Sequence, residues 1–77
     1  MNKQITDVII HTRDSLTNHQ FDEVSRNVYM NEGIVSFSRN SKTPQCLMVV
    51  YNAGITRASN ILSTVKNMGV NASLVGI

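Results

Sequence analysis

The residues able to do chemistry in this chain are few and widely spaced: His11, His19, Cys46 and the acids Asp7, Asp14, Asp22, Glu23 and Glu32. Catalysis needs a nucleophile, a base and a stabilising donor that converge, and these spacings offer no such set. A single cysteine cannot close an internal disulfide, and it excludes a four-cysteine zinc framework. The glycines at 33, 54, 69 and 76 stand singly, so no glycine-rich loop cradles a phosphate. The expectation is a protein that is not an enzyme and holds no cofactor. His19 reads as a solvated residue near a helix start. Cys46 reads as an inert strand residue, with no basic helix terminus placed to activate its thiol. Met68 reads as core, and Met48 as either surface patch or filler.

Composition bounds the architecture. With 77 residues, of which 42% are hydrophobic, the chain has room for one domain, 1–77, and enough apolar mass for a small core. No apolar run approaches the roughly 18 residues of a membrane span. The opening Met1-Asn2-Lys3-Gln4 leads into a mixed segment containing Asp7, unlike a secretory signal. A cytoplasmic protein is expected. The net charge of +2 is unevenly placed: all the acids precede Gly33, and only Arg39, Lys42, Arg57 and Lys66 follow it. Four scattered bases make no stripe for nucleic acid.

These residues must be positioned by short elements. Ile5 to Thr12 is β-branched and alternates, with Val8, Ile10 and Thr12 on one face and Ile9, His11 and Arg13 on the other. Thr17 and Gln20 have capping-box spacing, with Asn18 an alternative cap. Phe21, Val24 and Val28 then mark an amphipathic helix, with Tyr29 beside them and Asp22 and Glu23 expected in its first turn. Gly33 suits a left-handed stop. Ile34 to Ser38 reads as a strand, Val35 and Phe37 alternating with Ser36 and Ser38, before a polar connection, Arg39 to Gln45, holding the only proline, Pro44. Cys46 to Tyr51 is the strongest strand. A second helix is expected from near Thr56, with Ala58, Ile61, Leu62, Val65 and Met68 inward and Gly69 as its C′ stop; Val70 to Ile77 is the last strand.

The order β-α-β-β-α-β predicts an α+β, ferredoxin-like fold: a four-stranded antiparallel sheet, order 4-1-3-2, with both helices on one face. The other face is left uncovered. It is expected to carry Ile9, His11, Cys46, Met48, Val50 and Val75, provided that Leu47, Val49 and Tyr51 point at the helices. Exposed sheet faces normally turn polar residues outward, so this apolar set reads as a docking surface for a partner protein or for another copy of the chain. RNA-binding domains of this topology stack bases on strand aromatics. Here the outward residues are not aromatic, and no nucleic-acid partner is expected.

The stretch from Ile61 to Val75, the run Val49-Val50-Tyr51-Asn52 and the pair Gly33-Ile34 resemble the heavy-metal-associated (HMA) domain family. That family comprises copper- and zinc-handling modules, and its ions are held by a Met-x-Cys-x-x-Cys loop between the first strand and first helix. The resemblance places the two cysteine positions at Thr17 and Gln20 and the methionine position at Ser15 or Leu16. None of these is a soft ligand of the kind Cu(I) selects. The expectation is an HMA-like binding or assembly module without the thiolate site. The alternative is a metal carrier that uses unconventional ligands such as His19 or Cys46.

Overall fold

The computed structural model describes residues 4–75 and contains β1 (Ile5–Thr12), α1 (Asn18–Tyr29), β2 (Ile34–Arg39), β3 (Cys46–Asn52), α2 (Ala58–Lys66) and β4 (Ala72–Val75). Strands pair in the order β2-β3-β1-β4, antiparallel throughout. This is the ferredoxin-like topology that the element order predicts, with β1 and β3 as its central strands. Val8, Ile10 and Thr12 of β1 and Leu47, Val49 and Tyr51 of β3 are buried. They meet Val24 and Val28 of α1 and Ile61 and Val65 of α2 in one core. Tyr51, the one aromatic residue of β3, therefore lies under the helices and not on the uncovered face.

Several boundaries differ from the sequence pattern, each for a local reason. α1 starts at Asn18 behind the Thr17 cap, so Asp22 and Glu23 fall in its second turn rather than its first. α2 starts at Ala58, after a turn over residues 53–55 and with Thr56 buried ahead of it. Its fully buried residues are Ile61 and Val65, and Leu62 is only half-buried at the margin. Gly69 stands two positions past the cap residue Asn67, at φ +84, inside the turn that leads to β4. β4 begins at Ala72; the expectation for Gly76 and Ile77, like the reading of residues 1–3, lies outside the described residues.

The largest difference is in β2. The register slips between Ile34, opposite Tyr51, and Ser36, opposite Val50. Val35 is the extra residue of this bulge and is 55% exposed, whereas Phe37 is buried. The two do not share a face, because a bulge shifts the alternation by one residue. Past it, Phe37 and Arg39 lie on the helix side and Ser36 and Ser38 on the open side. β2 is also an edge strand, and its outward Phe37 N–H donates to the Tyr29 hydroxyl at 2.9 Å. That contact satisfies an edge donor which would otherwise invite another strand.

Candidate functional site

Two regions carry the residues singled out in the sequence: the loop from β1 to α1, and the uncovered face of the sheet. In the loop, Thr17 and Gln20 form a reciprocal capping box. The Gln20 N–H donates to Thr17 Oγ1 at 3.1 Å, and the Thr17 N–H donates to Gln20 Oε1 at 2.9 Å. Both oxygens are thereby committed to the free amides that every helix start presents. These side chains do not fit the two-thiolate ion site that the resemblance implies. Among the described residues no three of His, Cys, Asp and Glu come together to hold an ion.

The rest of the loop is fixed from outside by residues whose role the sequence pattern did not reveal. The Arg39 guanidinium donates to the Leu16 carbonyl and to Asn18 Oδ1, each at 2.7 Å. Its plane lies over the Phe21 ring at 4.7 Å, and that ring stacks on Phe37 at 5.3 Å. One side chain thus ties β2 to the loop and to the first turn of α1. Arginine suits this task because its rigid fork bonds two acceptors while it stacks on an aromatic ring. The signal was available: two residues beyond Phe37, Arg39 must share its face. On the other side of the loop the buried Thr12 hydroxyl donates to the Asp14 carbonyl at 2.8 Å, and the Gln45 amide donates to the Arg13 carbonyl.

A shallow cleft of about 100 Å³ lies beside this loop, lined by Asp14, Ser15, Leu16, Gln20, Gly69, Val70 and Asn71. It has room for a few waters, well below the roughly 300 Å³ of a small-molecule pocket. His19 is not part of it. Its side chain is 84% exposed and pairs with Glu23 one turn along α1, at 2.9 Å.

The uncovered face is ordered in rows by the register. Across the middle, Val75 of β4 stands opposite Ile9 of β1, Ile9 opposite Met48 of β3, and Met48 opposite Ser38 of β2. One row away, Ser73, His11 and Cys46 line up; on the other side, Asp7, Val50 and Ser36 do so. Met48 is 40% exposed and Val75 47%, with Ile9 and Val50 half-buried between their neighbours. Ile5, 48% exposed and in the same alternation, extends the apolar set beyond the residues expected. The face holds one ionised side chain, Asp7, and no lysine or arginine among the strand residues described.

The register also joins two residues that sequence separation keeps 35 positions apart: His11 and Cys46 are direct cross-strand partners. From the chain alone they showed no convergence. β1 and β3 are not consecutive, so no turn fixes their relative slide.

No family model and no curated protein matches the sequence. Solved structures do match by shape. Oxidised MerP from Ralstonia metallidurans CH34 superposes with a TM-score of 0.79 at 13% identity, over 92% of this chain and 97% of that one. The CopZ metallochaperone gives 0.79 at 15%, over 88% and 100%. The yeast copper transporter domain CCC2A, solved in apo and Cu(I)-loaded states, gives 0.77 at 14%, over 90% and 93%. The likeness is to the whole of each neighbour and establishes a common fold, which agrees with the HMA resemblance at that level.

Proposed function

We propose that this chain is a non-catalytic, HMA-like docking module that works through the open face of its sheet, and that the face takes a second copy of the chain. The observation that carries this reading is the apolar row Val75–Ile9–Met48, flanked by Val50 and Ile5, with no lysine or arginine among the described strand residues of the face. A surface that packs on its own copy must tolerate itself across a two-fold axis. One carboxylate, Asp7, away from the central row brings little like-charge repulsion. Each large side chain buried contributes about 1.5–3 kcal/mol before the costs of association. Strand spacing and rise limit the face to roughly 400 Å² per copy, half of the ~800 Å² per partner in a standard interface. The association is therefore weak and transient.

In this reading the β1–α1 loop is a structural corner. Its polar atoms are spent on capping and on Arg39, and the thiolate pair is replaced by Thr17 and Gln20. Sedimentation equilibrium over a wide concentration range is the test. The chain should pass from monomer to dimer as concentration rises, and Val50→Lys should remain monomeric while still folded. A monomer at every concentration overturns the dimer.

A second reading, a metal carrier, has its own support: similar solved structures are a metallochaperone and a copper transporter domain. It needs ligands other than the loop residues, since Thr17 and Gln20 are committed and His19 stands alone with Glu23. That leaves Cys46.

A further inference from the structure

We propose that His11, Cys46 and Met48 form a binding site for a soft monovalent cation, Cu(I), on the open face of the sheet. The site gives the carrier reading its ligands and would stand whether or not the face also docks a second copy.

The geometry comes from the ladder. The Thr12 N–H donates to the Gln45 carbonyl at 2.8 Å, a ladder bond that lies immediately beyond the His11–Cys46 pair. Antiparallel ladders alternate, so the next pair, His11–Cys46, is a non-hydrogen-bonded one. In such pairs the Cα atoms lie about 4.5 Å apart and the side chains approach most closely. An imidazole and a thiol are thus held side by side by the backbone. Met48, two residues beyond Cys46, returns to the same face opposite Ile9 and diagonal to His11. Diagonal neighbours lie about 7–8 Å apart, within reach of a long side chain.

The donor set selects the ion. Thiolate and thioether sulfurs are soft ligands that favour Cu(I), and imidazole accepts copper as well. Harder divalent ions would look for carboxylates, and Asp7, the carboxylate on this face, is two rows away from Cys46. Cys46 is a free, half-buried cysteine, His11 is exposed and Met48 is 40% exposed, so an ion can reach all three from solvent. On binding, the Cys46 thiol gives its proton to water and the copper remains monovalent. The site lies on the sheet, apart from the Thr17–Gln20 corner.

Anaerobic titration of the full chain with Cu(I), supplied as its bicinchoninate complex, tests the assignment. The wild type should withdraw one equivalent. Even residues that merely support a metal ligand cost 10–100-fold in affinity, so Cys46→Ser and His11→Ala should each weaken binding by about 100-fold or more. Met48→Leu should cost roughly 10-fold, and His19→Gln nothing. X-ray absorption of the loaded wild type should show sulfur and nitrogen scatterers together, a readout that requires no variant to fold. No withdrawal of Cu(I), binding unchanged in Cys46→Ser or in His11→Ala, or sulfur-only ligation would each overturn the site. Sedimentation of metal-free protein tests the dimer separately, so the two proposals can fail independently.

Discussion

Thr17 and Gln20 are better explained by helix energetics than by ion chemistry. Each accepts the other's backbone N–H, and replacing a capping threonine by alanine costs about 1 kcal/mol. Thr17→Ala should therefore lower the unfolding free energy by about 1 kcal/mol, seen as a lower urea midpoint at an unchanged denaturant slope. Arg39 makes a sharper case. Lysine keeps the charge but cannot bond the Leu16 carbonyl and Asn18 Oδ1 together while stacking on Phe21. In Arg39→Lys, amide exchange should speed up across residues 15–18 and stay unchanged in β1 and β3. Equal exchange in the loop would mean that Arg39 does not hold it. The two left-handed glycines should also part company. At Gly33, φ +90, an added Cβ would sit 2.9 Å from the Ile55 Cβ, whereas at Gly69, φ +84, it would meet nothing within 4 Å. Thermal melts should show Gly33→Ala clearly more damaging than Gly69→Ala; equal losses would place Ile55 elsewhere.

At the scale of elements, strict alternation made β1 and β3 legible, because a half-buried strand must present opposite chemistry on successive residues. The helical repeat made α1 legible in the same way, through Val24 and Val28. The helical repeat in α2 sets both Ile61 and Leu62 inward, but the two are adjacent and only packing decides which is fully buried. The structure buries Ile61 completely and leaves Leu62 at the margin. Ile61→Ala should cost about 2–5 kcal/mol in chemical denaturation, and Leu62→Ala distinctly less. The reverse order would rotate the helix. The bulge at Val35 was not legible, since an inserted residue leaves the composition of a strand unchanged. Arg39, by contrast, was legible in principle: its polarity groups it with the connection, but it ends β2 two residues past Phe37 and on the same face.

At the scale of the molecule, β-α-β-β-α-β order and right-handed crossovers leave one sheet face bare, and that much follows from the sequence. What occupies each row of the face does not, because register between non-consecutive strands depends on the entire packed core. The Val75–Ile9–Met48 row and the His11–Cys46 pair therefore emerge only in the structure. No helix of the described residues is long and apolar enough to cross a membrane. Introducing a charge mid-row, as in Met48→Lys, should abolish self-association in sedimentation and leave the far-ultraviolet dichroism unaltered. Retained dimerisation would move the interface off the face.

The work of the molecule is assigned to its bare sheet rather than to the corner between β1 and α1. Amide resonances followed in two-dimensional NMR as metal-free protein is concentrated examine that choice directly. Shifts should gather at Ile9, Met48, Val50 and Val75 and leave residues 14–20 still. Movement confined to residues 14–20, or no movement anywhere, would contradict it.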